Sequence, residues 1–213
     1  TIWTGTQQLS VCHAQVAMAL NVPMTQIRII PAWIGGGFGG KLKAQFEPII
    51  ALLTSATRKP VKLVLTREEE FLTGKPRAPY TITVRTGVRN DGTMVARELE
   101  LLADVGAYAD HVIGTATHSL VISQGPYNIP NCKARARAIY TNNRDWGCMR
   151  GYGAPQIVFA IESHMDSIAA ALDIDPAEFR LRTLAEEGDL MTSTQPFRAV
   201  RIRETMEKAL AAS

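Results

Sequence analysis

The sequence has little of several features that would narrow its function. Three cysteines occur in 213 residues, at positions 12, 132 and 148, and they are too few and too scattered for an iron–sulfur or zinc site. No apolar run reaches the length needed to cross a bilayer. A formal net charge of +3 is too small to create a strong field toward nucleic acid or lipid. We therefore expect neither nucleic acid nor a membrane among its partners.

The cysteine count and the chain ends lead to two further expectations. An odd number of unclustered cysteines favours a reducing compartment, so we predict the cytoplasm. The chain has no initiator Met, and Thr1–Thr4 resembles the middle of a strand. We therefore expect a piece of a longer protein, although 213 residues are enough to bury a core.

Hydrophobic periodicity predicts an α+β fold with mixed or antiparallel sheets and packed helices. The sequence changes from helical spacing to strict alternation after Tyr80, and Asn90-Asp91-Gly92 is a hairpin turn signal. The predicted helices are 10–20, 46–57, 156–172, a short one from Pro176, and 200–211; the predicted strands are 26–30, 61–65, the hairpin from Tyr80 to 104, and 133–141.

A glycine cluster at 35–40 is compatible with three kinds of loop. Its glycines fit G-x-G-x-x-G between a strand and a helix, which would make 26–70 a Rossmann-like unit that binds NAD. Four residues separate strand and glycines, however, and the βα alternation stops after residue 74. A P-loop is disfavoured because Leu42 follows Gly40-Lys41, where a hydroxyl would hold Mg²⁺. A purely structural loop stays open on the cluster alone.

The cluster belongs to an ordered series of motifs. Thr6-Gln7 is followed by GGGFGGK at 35–41, Arg67-Glu68-Glu69, Asp104-Val105-Gly106-Ala107-Tyr108, and RGYGAPQ at 150–156. Over nearly the whole chain, this series resembles the molybdopterin-binding large subunit of molybdenum hydroxylases, the xanthine dehydrogenase and aldehyde oxidase family. The resemblance implies that residues 1–213 are the first part of the molybdenum-cofactor-binding domain, truncated before its downstream catalytic half.

The resemblance also assigns roles to individual residues. It implies that the Gln7 amide hydrogen-bonds near the oxo group, and that the loop around Phe38 brings backbone N–H groups close to the molybdenum ligands. It places the main-chain nitrogen of Arg150 at the metal. The implied cofactor-binding residues are Gln7, Gly37, Phe38, Gly39, Arg150 and Gly151; of these, Gln7, Phe38 and Arg150 lie near the molybdenum ligands without side-chain ligation.

Three positions are implied to line the substrate pocket. Leu42 stands where purine-oxidising relatives carry a Glu, and His118 falls where they carry an Arg. Tyr152 holds a position where related enzymes place an aromatic ring over the substrate. Without the two charged groups, xanthine is an unfavourable substrate, and an aldehyde, an N-heteroaromatic ring or an aromatic acyl-CoA is a better fit.

The implied activity is the oxidation of a small molecule with water as oxygen source. The general-base glutamate belongs to a later motif, so no catalytic residue is expected in this chain. Iron–sulfur clusters and FAD are expected on other domains or subunits, which would be partners together with the remainder of the molybdopterin subunit. Two other classes stay open: an NAD-dependent oxidoreductase built on 26–70, and a non-catalytic module.

Overall fold

The computed structural model describes all 213 residues, which divide into two compact units. Unit 1 consists of Thr1–Arg77 and Gly147–Arg150, and unit 2 consists of Ala78–Trp146 and Gly151–Ser213. The expected α+β fold is confirmed. No helix is both long and apolar enough to cross a membrane.

Unit 1 begins with two short parallel strands linked by a helix. β1 (Ile2–Thr4) pairs with β2 (Ile29–Pro31), and α1 (Leu9–Leu20) lies between them in the chain. Two further helices, α2 (Glu47–Thr57) and α3 (Arg67–Thr73), follow the glycine cluster. The buried core of this unit is small: Ile2, Cys12 and Val16. α3 begins with a capping box between Thr66 and Glu69, which explains the start of that helix at the REEE run.

The predicted strand 61–65 is wrong, and the Rossmann-like unit is lost with it. Residues 61–65 form no strand, and Leu63 and Val64 are exposed. An apolar run becomes a strand only when a neighbouring strand pairs its backbone, and β1 and β2 pair with each other instead. The glycine cluster does lie between β2 and α2, but no strand follows α2 to complete a βαβ unit.

Unit 2 is built on a three-stranded mixed sheet. β3 (Tyr80–Val88) is antiparallel to β4 (Met94–Gly106), and β4 is parallel to β5 (Cys132–Tyr140). Along β4, buried and partly exposed positions alternate, because successive side chains point to opposite faces. Four helices complete the unit: α4 (Val112–Val121), α5 (Ala154–Ala171), α6 (Pro176–Thr183) and α7 (Ile202–Ala211).

Helix α4 was not among the predicted elements. Its sequence, VIGTATHSLV, is rich in β-branched residues and contains a glycine, which lowers its intrinsic helix propensity. Val112, Thr115, Ala116 and Ser119 are nevertheless buried, and this i, i+3, i+4, i+7 spacing is that of an amphipathic helix. The spacing was a usable signal, but it was carried by small and hydroxyl side chains.

Candidate functional site

Gln7 is fixed to the glycine-rich loop by its side-chain oxygen. In unit 1, Oε1 of Gln7 accepts hydrogen bonds from the backbone N–H of Gly39 at 3.0 Å and of Lys41 at 3.1 Å. The backbone N–H of Gln7 donates to the Lys41 carbonyl at 2.8 Å. Because the oxygen is used by the loop, the Nε2 amide of Gln7 is left as a donor for a ligand.

In the loop around Phe38, several backbone N–H groups have no intrachain acceptor, whereas two carbonyl groups accept hydrogen bonds from within the chain. The Gly37 carbonyl accepts from Gly40 N at 2.7 Å, and the Gly40 carbonyl accepts from Gln45 Nε2 at 2.8 Å. The backbone N–H groups of Gly36, Gly37 and Phe38 donate to no atom of the chain. Phe38 has a φ of +50° and is 56% exposed, so its ring does not anchor the loop in the core.

Residues 147–150, which lead into the RGYGAPQ motif, contact the glycine-rich loop within unit 1. Gly147 N donates to the Pro76 carbonyl at 3.0 Å, which joins segment 147–150 to the end of the Thr1–Arg77 segment. A Cβ at Gly39 would lie 2.6 Å from the Cys148 carbonyl oxygen, and Gly39 has a φ of +102°. Both facts require glycine at this position. The structure therefore brings the Gln7 amide, the Gly39 loop and the residues up to Arg150 together.

In unit 2, the motif continues through an unusual run of backbone conformations. Gly151, Tyr152 and Gly153 have φ values of +90°, +47° and +95°. The Tyr152 carbonyl accepts a hydrogen bond from His118 Nδ1 at 2.9 Å. Because a carbonyl can only accept, this ring nitrogen of His118 carries the proton. The backbone N–H groups of Gly151 and Gly153 donate to no atom of the chain.

The distribution of free donors and occupied acceptors within unit 1 tests whether this unit suits an anionic cofactor. The carbonyl groups of residues 37, 40 and 150 accept hydrogen bonds, whereas the amides of residues 36–38 and 150 have no intrachain acceptor. Successive backbone N–H groups that are left without an intrachain acceptor can bind anions. No group of His, Cys, Asp or Glu side chains could hold a metal. The donor set therefore fits an anionic group that brings its own metal ligands.

The three predicted pocket residues lie in different places. Leu42 is half-buried in unit 1, directly after the glycine loop, whereas His118 and Tyr152 lie in unit 2. The Tyr152 ring packs edge-on against the rings of His111 and His118, with centroids 6.3 and 5.8 Å apart. Its half-buried ring thus lies beside α4, and His118 binds the loop backbone. Their substrate-contacting roles stay predictions.

Asp104 belongs to the ordered series of motifs, but the sequence alone assigned it no role. In unit 2 its carboxylate accepts hydrogen bonds from Thr141 Oγ1 at 2.6 Å, Asn143 Nδ2 at 2.5 Å and Gly106 N at 2.7 Å. Burial alone would raise the pKa of Asp104, but these hydrogen bonds outweigh it and lower the pKa. Asp104 therefore orders residues 141–143, which lead toward the second motif.

Comparisons with known proteins identify a family for the chain. A family model described as "Molybdopterin cofactor-binding domain" matches residues 1–184. The chain is 38% identical to the "Nicotinate dehydrogenase large molybdopterin subunit" of Eubacterium barkeri, over 98% of this chain and 49% of that protein. It is 43% identical to a putative xanthine dehydrogenase molybdenum-binding subunit of Escherichia coli K12, over 89% of this chain and 25% of that one.

Solved structures give the same result at the level of the fold. The aldehyde oxidoreductase of Desulfovibrio gigas superposes with a TM-score of 0.93 at 26% identity, covering 99% of this chain and 23% of that one. The quinoline 2-oxidoreductase of Pseudomonas putida 86 superposes with a TM-score of 0.89 at 27% identity, covering 99% and 28%. The chain thus spans half or less of the length of these relatives.

Proposed function

We infer that this chain, which belongs to the family of molybdopterin cofactor-binding domains, forms the cofactor-facing part of a molybdenum hydroxylase. The proposed reaction is the oxidation of an aldehyde, an N-heteroaromatic ring or an aromatic acyl-CoA with water as oxygen source. The observation that carries the proposal is the set of open backbone amides at 36–38 and 150, next to the Gln7 amide, within unit 1. Preorganised N–H donors of this kind stabilise negative charge without reorganisation.

Within the proposal, each cofactor-binding residue has a definite task. When bound, the molybdenum cofactor supplies the two-electron oxidation of the substrate carbon. Gln7 donates from Nε2 and adds no charge to the anionic centre. The amides of Gly37, Phe38, Arg150 and Gly151 provide the remaining donors, and Gly39 permits the close packing against Cys148.

The substrate preference follows from what the pocket positions lack. Leu42 offers an apolar wall, and a site without paired polar groups discriminates poorly in favour of a purine. Relatives are named for nicotinate, xanthine and aldehyde, so an assay across these classes is the direct test. We propose that aldehydes and N-heteroaromatic rings are preferred over xanthine.

The other parts of the enzyme are proposed from the length of the relatives. This chain covers 49% of the nicotinate dehydrogenase subunit and 25% of the xanthine dehydrogenase subunit. The general-base glutamate is assigned to the remainder of the molybdopterin subunit. Iron–sulfur clusters and FAD are assigned to further domains or subunits, because the three cysteines of this chain lie apart.

The test uses the full-length protein that contains this chain. Metal and pterin analysis should find molybdenum and molybdopterin, and steady-state assays should give a higher kcat/KM for benzaldehyde or nicotinate than for hypoxanthine. A protein purified from a molybdenum-replete host without molybdenum would contradict the proposal and favour a non-catalytic module. Hypoxanthine as the best substrate would overturn the pocket argument from Leu42 and His118 and leave the cofactor assignment standing.

A further inference from the structure

The carbonyl groups of residues 150–153 all accept hydrogen bonds, but from two kinds of donor. Those of Gly151 and Gly153 accept backbone amides of the following turn and of the first turn of α5, at 2.8 and 3.3 Å. Such bonds accompany any chain that folds into this turn and helix. The other two accept from side chains: the Tyr152 carbonyl from His118 Nδ1 at 2.9 Å, and the Arg150 carbonyl from Arg77 Nη2 at 2.6 Å. Each of these two bonds depends on the identity of one side chain.

We propose that Arg77 is a positioning residue for the cofactor site; this deepens the function proposed above and rests on it. A peptide bond is planar and trans, so its N–H points away from its C=O. By holding the Arg150 carbonyl, Arg77 fixes the plane of the peptide that joins Arg150 to Gly151. The N–H of Gly151 then points away from Arg77 and meets no acceptor within the chain.

The peptide between Arg150 and Gly151 needs an external contact to keep a single orientation. Gly151 has a φ of +90°, and glycine adopts positive and negative φ with similar ease. Without an external contact, little would prevent this peptide from rotating and exchanging its N–H for its C=O at the cofactor face. A carbonyl there would repel the anionic ligands that the amide binds. Arg77 therefore determines which of the two groups is presented.

Arginine suits this task, and its backbone is fixed to the segment that it controls. A charged guanidinium donates short hydrogen bonds, stronger than those between neutral groups. Arg77 forms a parallel β-bridge with Gly147, and the neighbouring Pro76 carbonyl accepts from Gly147 N at 3.0 Å. The bridge fixes the backbone of Arg77 beside Gly147, which lies three residues before Arg150. From there the Arg77 side chain extends to the Arg150 carbonyl.

The test compares variants of the full-length protein by molybdenum per polypeptide and by the Mo(V) EPR spectrum after partial reduction. Arg77→Met keeps the length of the side chain and removes the donor; Arg77→Lys keeps a charged donor. Arg85→Met is the control, because Arg85 is exposed on β3 and only paired with Glu98. Changes of residues behind metal ligands typically cost 10–100-fold in metal affinity or activity. We expect Arg77→Met to lose about tenfold in molybdenum occupancy.

The remaining variants make the result specific to the hydrogen bond. Arg77→Lys should keep most of the occupancy, with a shifted EPR signal, and Arg85→Met should match the wild type in both. Wild-type occupancy and spectrum in Arg77→Met would overturn the proposal, and so would an equal loss in Arg77→Lys and Arg77→Met. A wild-type protein that holds no molybdenum would instead refute the proposed function, so the two failures are distinguishable.

Discussion

The two units differ most in how much of their apolar surface they bury. Unit 2 closes its own core around large, fully buried side chains such as Phe179 and Tyr127. Unit 1 buries only a small cluster, while Leu52, Val64 and Phe71 are 60%, 72% and 73% exposed. A self-contained core stabilises its unit in any context, whereas exposed apolar surface on this scale is usually covered by a partner.

The units also differ in the groups that carry their specificity. Unit 1 leaves backbone amides without an intrachain acceptor in the loop around Phe38, so the site proposed there would depend on φ and ψ values rather than on side-chain chemistry. Unit 2 is cross-linked by side chains: the Tyr127 hydroxyl donates to Glu162 at 2.8 Å, and Arg180 pairs with Glu162 at 2.9 Å. Substitutions should therefore act mainly on stability in unit 2 and mainly on cofactor content in unit 1.

The largest stability effect should come from the core of unit 2. Phe179 is fully buried, and Phe179→Ala should destabilise the full-length protein by about 3–5 kcal/mol, since the lost burial leaves a cavity. Phe159→Ala is the control, because Phe159 lies on α5 and is 76% exposed. Denaturant unfolding, with hydrogen exchange over residues 154–184, measures both. Equal effects of the two substitutions would contradict the idea of a closed core in unit 2.

A smaller stability effect and a large cofactor effect are expected at Gly39. Gly39→Val would force a β-branched residue into a φ of +102° and against the Cys148 carbonyl, at a cost of about 2–3 kcal/mol. Because the Gln7 oxygen is bonded to Gly39 N, molybdenum content should fall by at least about tenfold. Metal analysis and thermal melting of the full-length protein check both effects.

The matched control for this prediction is another glycine of the same loop. A Cβ at Gly35 would meet nothing within 4 Å, so Gly35→Ala should keep its molybdenum and its melting temperature. Retention of full molybdenum content by Gly39→Val would show that the close approach to Cys148 is dispensable.

Much of the fold was predictable because periodicity reflects burial directly. The hairpin strands from Tyr80 and the long amphipathic helix of 156–172 correspond to β3, β4 and α5, with boundaries shifted by a few residues. The strand prediction at 61–65 failed because pairing depends on a partner that the local sequence does not specify. The helix α4 was missed because small side chains carried its buried face.

The candidate site was inferred from the sequence only through the resemblance of its motifs, and its residue roles stay predictions. Composition left the glycine cluster open between several loop types, and the second motif narrowed the choice. The roles of Arg77 and Asp104 could not be predicted: Arg77 donates to the Arg150 carbonyl, and Asp104 accepts from the side chains of Thr141 and Asn143. Such contacts join positions far apart in the chain, and neither spacing nor composition encodes them.

The next prediction concerns the exposed apolar surface of unit 1, which includes Leu52, Val64 and Phe71. We expect the remainder of the molybdopterin subunit to cover it, because relatives are about two to four times longer than this chain, as their covered shares of 49% and 25% show. Leu52→Asp on α2 should then destabilise the full-length protein by roughly 1–2 kcal/mol, since it would bury an unpaired charge. Thr54→Asp, on the opposite side of the same helix, should change stability little. Equal, small effects in denaturant unfolding would show that the face stays exposed.

The smallest expected effect concerns the thiols of the two units. Cys12 in unit 1 is fully buried, and burial, with a smaller contribution from the Glu47 charge, raises its pKa from 9.0 to about 11. Burial also raises the pKa of Cys132 in unit 2, where Arg97 opposes the rise. Since thiolates are the reactive form, iodoacetamide at pH 8.5 should label Cys12 more slowly than the half-buried Cys132.

The raised pKa of Cys12 also makes the stability of the protein depend on pH. A thiol whose pKa is raised by folding binds its proton more tightly in the folded state, so its contribution is complete below the unfolded pKa. That contribution is lost as the pH rises from about 9 through 11. The wild-type protein should therefore lose more stability than Cys12→Ala between pH 8.5 and 10.5, because alanine has no proton to release. Denaturant unfolding at both pH values measures the difference. Parallel pH profiles would mean that Cys12 titrates alike in the folded and unfolded states, and that the small core of unit 1 is open to solvent.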